Sequence, residues 1–308
     1  MKRPDDSTLT PQQYALVRRE AARVLSACGA AGKFPTPIDD VMAIVNVHEV
    51  KEDVLNENFV QKMRRQASGA LKRALSKVIG LFDAKSRMIF IDRSIKIVRQ
   101  TFIRLHEAGH AVMPWQRDLY AVVEDCEQTI EPALADQFAR EANVFASEIL
   151  FQLDGFSKQA EEHEFGILTP VKLCKQYGAS VYSAVRRYVT HNTRACAVVV
   201  FNPPELVEGD GFRATLRRHV ASTRFTEIFG EIDWPDVVTP DDELGELIPL
   251  GKRRMSGKRQ IALVDRNGLR HECIAESFTQ SYQVFVLIHA VSTLTKTSII
   301  IPKFAVSS

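Results

Sequence analysis

The segment His106-Glu107-Ala108-Gly109-His110 holds two imidazoles four residues apart, with a carboxylate directly after the first. On a helix that spacing puts both rings on one face, where they can converge on a single ion. Glu107 then sits where its carboxylate can reach a water held at the same ion. Gly109 withholds a side chain beside that face, so another element can come close. Two neutral imidazoles plus one carboxylate, with the fourth position left to water, is the donor set of a catalytic Zn2+ site rather than a structural one. Zinc lowers the pKa of such a water to about 7, within reach of a carboxylate base at neutral pH. The chemistry expected is hydrolysis, with His106 and His110 as metal ligands and Glu107 as the catalytic base.

A third ligand is required. Six residues beyond His110, where one common pattern carries a third histidine, stands Gln116. Downstream, Leu134, Phe138, Glu141, Phe145 and Ile149 fall along one helical face. A carboxylate within an apolar stripe is costly to bury unless it is paired or bound to metal. Glu141 is therefore the expected third metal ligand, with Glu148 in reserve near the same face. His48, His163, His191, His219, His271 and His289 have no partner at ligand spacing and read as structural or surface residues. His163, Tyr182 and Tyr188 stand as open alternatives for stabilising an oxyanion.

These residues need two helices that face each other. Apolar periodicity predicts the first from about Ser94 to Met113, stopped by Pro114, with Ile95, Val98, Phe102, Leu105 and Val112 as its stripe. An irregular acidic stretch follows, then a second helix spanning roughly Glu131 to Gln152. Upstream, Thr10-Pro11 opens a helix with Tyr14, Val17, Ala21, Val24 and Leu25 at helical spacing, and a short helix carries Val41, Ile44 and Val45. A further helical pattern, basic on its outer side, covers Asn58 to Lys77. Ile79 to Phe82 and Met88 to Ile91 flank Asp83-Ala84-Lys85-Ser86 as a β-hairpin. Asp154 to Glu164 reads as a linker or exposed turn, and two short helices flank Tyr177-Gly178-Ala179-Ser180. Beyond Arg194 the chain turns β-rich, with strands at Ala195–Phe201, Gln260–Val264, Leu269–Ala275, Gln283–Ile288 and Thr297–Ile301. Asp265-Arg266-Asn267-Gly268 supplies a hairpin turn.

The order of these elements, with Pro37-Ile38-Asp39-Asp40-Val41, Leu105-His106-Glu107-Ala108-Gly109-His110 and Glu141-Ala142-Asn143-Val144-Phe145-Ala146-Ser147-Glu148-Ile149-Leu150, resembles the ImmA/IrrE family of bacterial metallopeptidases. The resemblance covers about the first 190 residues. It implies that His106, His110 and Glu141 bind zinc and that Glu107 is the general base. It also implies a protein substrate, a helix-turn-helix transcriptional repressor whose cleavage relieves repression of stress-response or mobile-element genes. After Leu150 the chain reads Phe151-Gln152, where the family commonly has Met-Pro. Leu173 to Ser180 followed by Ala184-Val185-Arg186-Arg187 looks like a helix-turn-helix, which admits DNA contact through Arg186 and Arg187. A helical pair packed on the peptidase domain is the preferred reading, because the basic charge is modest. The alternative to a peptidase is a non-catalytic regulator with a vestigial site, binding DNA or a partner protein.

Charged residues are 25% and apolar ones 45% of 308 residues, ordinary for a soluble globular chain, and the net charge of +2 hides local contrast but does not suggest a general nucleic-acid binder. Five scattered cysteines without a CxxC pair give neither a disulfide framework nor a thiolate zinc cluster, and read as reduced thiols. No apolar core follows Met1-Lys2-Arg3-Pro4-Asp5-Asp6, and the run Val284 to Ile288 is far too short to cross a bilayer. The location expected is cytoplasmic, with no membrane partner. The fold class expected is α+β: a mainly helical, zincin-like peptidase domain with a small hairpin over residues 1–155, a helix-turn-helix-like segment over 156–193, and a β-rich C-terminal domain over 194–308 with a sensory or substrate-binding role.

Overall fold

A computed structural model describes residues 8–50, 80–83, 87–91, 95–125, 131–209 and 211–291. Helix α1 (Pro11–Ala27) begins where the sequence signals it. The Thr10 hydroxyl accepts from Gln13 N at 3.3 Å and Gln13 Oε1 accepts from Thr10 N at 3.0 Å, a reciprocal cap that satisfies two otherwise orphaned donors. Its inner face buries Val17, Ala21, Val24 and Leu25. After α2 (Ile38–Ile44) comes a three-stranded sheet in the order β1-β3-β2. Strands β2 (Gly80–Asp83) and β3 (Met88–Ile91) form the expected antiparallel pair. Strand β1 (His48–Glu49) joins them parallel to β3; at two residues it is too short to show a period in sequence.

Three helices carry the site: α3 (Ile97–Val112), α4 (Pro114–Asp125) and α5 (Pro132–Leu150). Two expectations need correction here. Pro114 does not lead into an irregular stretch; lacking an N–H, it suits a first helical position and opens α4. The stripe of α3 is also displaced, since Val98 is 38% exposed while Ile103, Leu105, Ala108, Ala111 and Val112 are buried. Burial begins there because α3 meets α5 near its C-terminal end, at Gly109. Further on, Asp154 to Glu164 is not a linker. It forms α6 (Gly155–Glu161), which buries Phe156 and Ala160, an i,i+4 apolar pair hidden in a polar run. Helices α7 (Leu168–Gln176) and α8 (Val181–Thr190) are the two short helices expected there. The helix expected over Asn58 to Lys77 and the strand over Thr297–Ile301 lie outside the described residues.

The chain divides into two compact units, one of residues up to Asn192 with Arg218–Val220, the other of Thr193–Arg217 and Ala221 onward. The second is built on β4 (Cys196–Phe201), β5 (Glu205–Val207), β6 (Gly211–Ala221), β7 (Val237–Val238), β8 (Arg259–Val264), β9 (Arg270–Gln280) and β10 (Gln283–Ala290), with α9 (Thr223–Phe229) following β6. The sheet runs β5-β6-β4-β10-β9-β8, with β7 beside β6. Central β10 pairs antiparallel with both neighbours, Val286 opposing Val199 and Ser277. At the β8–β9 turn Asp265 Oδ1 accepts from Asn267 N and Leu269 N at 2.8 and 2.9 Å, and Gly268 takes the left-handed φ of 82° the turn requires. Val199, Phe201, Phe225, Trp234, Leu247 and Val286 belong to one core. The architecture is α+β. Among the described residues no helix is long and apolar enough to cross a membrane.

Candidate metal centre

The site exists because α3 and α5 come very close. A Cβ placed on Gly109 would stand 3.2 Å from Ala142 Cα and 3.2 Å from a Phe145 ring carbon, so the missing side chain sets the helix separation. The sequence expectation that another element would approach there is met, and the element is α5. Arg104, one turn before Ala108, ties α3 to the residues upstream through Asp39 at 2.5 Å and Glu49 at 3.0 Å.

On this helix His106 and His110 stand edge to face, with ring centroids 4.8 Å apart. Their Nε2 atoms are 3.2 Å apart. Each Nδ1 faces an amide oxygen: Asn143 Oδ1 at 2.9 Å for His106, and Gln116 Oε1 at 2.6 Å for His110. The Gln116 amide has its orientation fixed, because its nitrogen donates to Glu141 Oε2 at 2.6 Å and to the Phe138 carbonyl at 3.3 Å. An amide oxygen only accepts, so both Nδ1 atoms carry the proton and both Nε2 lone pairs converge. Burial is the main cause that pushes His106 down to about 3 and His110 to about 4, so both rings are neutral at pH 7. Two ligands of tetrahedral zinc at about 2.05 Å lie about 3.3 Å apart. The facing pair of neutral imidazoles therefore fits a shared cation.

Glu141 is buried beside this pair, and donors take up its carboxylate. Trp115 Nε1 and Gln116 Nε2 donate to Oε2 at 2.7 and 2.6 Å, and Gln137 Nε2 donates to Oε1 at 2.9 Å. Among the described residues no three His, Cys, Asp or Glu side chains converge on one point as they stand. Glu141 is instead joined to His110 through the Gln116 amide. Glu107 is buried on the same helix, and burial pushes its carboxyl up to about 7. Sequence reasoning passed over Asn143, Trp115, Gln116 and Gln137. Gln116 registered only as a missing histidine, although an amide close behind a ligand is a signal in itself.

Glu148 is not a reserve ligand. Arg187 binds its carboxylate, Tyr14 Oη donates to Oε1 at 2.7 Å and Arg18 approaches Oε2 to 3.5 Å. Burial alone would raise this carboxyl, but the Arg187 charge and the hydrogen bonds from Arg187 and Tyr14 outweigh it and hold it low. The same contact corrects the DNA reading of Arg187, which is 2% exposed and committed to Glu148 and the Leu153 carbonyl. Tyr188 is buried against Phe165 and its hydroxyl accepts from Gly166 N at 3.2 Å. Gln152, where Met-Pro was the family expectation, has φ 50°, which proline cannot adopt. Its amide accepts from Gly32 N at 2.8 Å and donates to the Lys33 carbonyl at 2.6 Å, tying the loop after α1 to the end of α5.

Comparison with known proteins accords with this geometry. Residues 57–188 match the Peptidase_M78 family, described as the IrrE N-terminal-like domain. A solved Mycobacterium tuberculosis transcriptional regulator is similar over 93% of this chain and 93% of its own, with a TM-score of 0.53 and 11% identity, a likeness of fold. No curated protein matches. The matched segment, residues 57–188, is the one that brings the paired imidazoles together, and the family it resembles is one of zinc metallopeptidases.

Proposed function

We propose that the protein is a zinc-dependent endopeptidase that hydrolyses a peptide bond in a protein substrate, a helix-turn-helix transcriptional repressor. The observation that carries the reading is the pair of converging Nε2 lone pairs, 3.2 Å apart, with a buried carboxylate on the same helix turn. His106, His110 and Glu141 would hold the ion, Glu141 exchanging one of its three side-chain donors for it. When bound, zinc supplies Lewis acidity, lowering the pKa of a water and polarising the scissile carbonyl. Glu107 takes the proton from the attacking water and passes it to the leaving amine nitrogen. The asparagine and glutamine oxygens hold the two rings in the required tautomer throughout.

The test uses the full chain, loaded with zinc, against a panel of purified helix-turn-helix repressors. Cleavage of one of them, stopped by a chelator and absent in Glu107→Gln at unchanged zinc content, is the expected result. Full-rate cleavage by Glu107→Gln, or protein that takes up no zinc, overturns the reading. A second reading, a regulator without catalysis, draws support from the fold likeness to a protein described as a transcriptional regulator. DNA binding with a steep salt dependence and indifference to chelators would favour it.

A further inference from the structure

We propose that Gln116 is a positioning residue that couples two ligands of the metal centre, fixing the donor nitrogen of His110 with one end of its amide and the carboxylate of Glu141 with the other. This rests on the zinc reading of the site. The side chain is fully buried, at 0% exposure, and every polar atom of its amide is used. Oε1 faces His110 Nδ1 at 2.6 Å, and Nε2 donates to Glu141 Oε2 at 2.6 Å and to the Phe138 carbonyl at 3.3 Å. An amide cannot exchange its ends here without setting oxygen against the Phe138 carbonyl and the Glu141 carboxylate, and N–H against a protonated Nδ1. The hydrogen bonds to α5 are therefore what dictate the tautomer of a ring on α3. Pro114 places the residue: by opening α4 directly after α3, it turns Trp115 and Gln116 back toward Glu141.

Two histidines of a zinc site can each be held by an outer partner, and loss of such a partner commonly weakens metal binding by about 10–100-fold. Gln116 differs in serving a histidine and a carboxylate from different helices with one planar group. Its removal should thus cost affinity through both ligands together.

The metal-free full chain is first examined by nitrogen-15 NMR of its histidines, where His110 is expected as the Nδ1–H tautomer; an Nε2–H tautomer in the unaltered protein overturns the proposal without any variant. In Gln116→Met the Nε2–H tautomer should appear, and zinc affinity measured by chelator competition should fall about 10–100-fold. Gln116→Glu, which keeps an oxygen toward His110 but sets its second oxygen against the Glu141 carboxylate, should restore the Nδ1–H signature without restoring zinc affinity. A Met variant that retains the Nδ1–H tautomer, or binds zinc as tightly as the unaltered protein, overturns the coupling role. A merely structural glutamine would lower the melting temperature without moving the tautomer. If the unaltered protein binds no zinc, the metallopeptidase reading falls, whereas the tautomer result still stands or falls by itself.

Discussion

Glu141 offers two oxygens to three nitrogen donors, from Trp115, Gln116 and Gln137. Glu141→Gln would replace one acceptor with an N–H group and set it among those donors. An unsatisfied buried polar group costs about 1–3 kcal/mol, so unfolding free energy in urea should drop by about 2 kcal/mol. Zinc affinity should fall in the same variant, because a neutral amide replaces the charged donor. The outer partners of the two imidazoles are likewise amides and not carboxylates. They fix direction without adding negative charge, which leaves Glu141 as the anion nearest His110 in the hydrogen-bond chain.

At the scale of elements, the approach of α3 to α5 depends on Gly109. Gly109→Ala gains about 1 kcal/mol of helix propensity but sets a methyl 3.2 Å from the Ala142 backbone, so the two effects nearly cancel. Gly109→Val adds bulk that neither Ala142 nor the fully buried Phe145 can yield to. A loss of about 3 kcal/mol is expected, read by denaturant melts, with weakened zinc binding as the helices part. The two helices were legible in sequence because each carries a long apolar period interrupted by residues of another chemistry. His106, Glu107, His110 and Glu141 stood out for the same reason. What sequence did not show is the side chains that hold them: Gln116 and Gln137 are polar residues whose burial is decided only when α4 folds back, and helix period says nothing of that. Strand β6 escaped notice because Arg213 and Arg217 on its exposed side mask the alternation with buried Phe212 and Ala214. Helix α6 escaped because two apolar residues do not make a period.

At the scale of the first unit, the Glu148 cluster spans the chain from Tyr14 to His191. The Tyr14 hydroxyl lies 3.0 Å from His191 Nε2, and burial is the main cause that lowers His191 to about 4. An unfolded histidine titrates near 6.5, so below that pH the unfolded state takes up a proton the native state resists. The contribution of His191 is therefore complete above pH 6.5 and lost as pH falls toward 4, by on the order of 3 kcal/mol, with the depressed Glu148 carboxyl adding its own loss at the acid end. Urea melts of the metal-free protein at pH 7.5 and 5 should show the drop, and His191→Gln should lessen it between those values, leaving the share that buried His106 and His110 contribute with the same sign. The cluster also bears on how the protein can be cut. A fragment trimmed to the family-matched boundaries, 57–188, would discard Tyr14, Arg18 and His191 together with all of α1. It would keep a carboxylate and a guanidinium meant for an interior, now opened to water along one side. The boundaries of shared ancestry and of autonomous folding do not coincide here, and a stable fragment holding the paired imidazoles should need the first unit from α1 through Asn192 at the least.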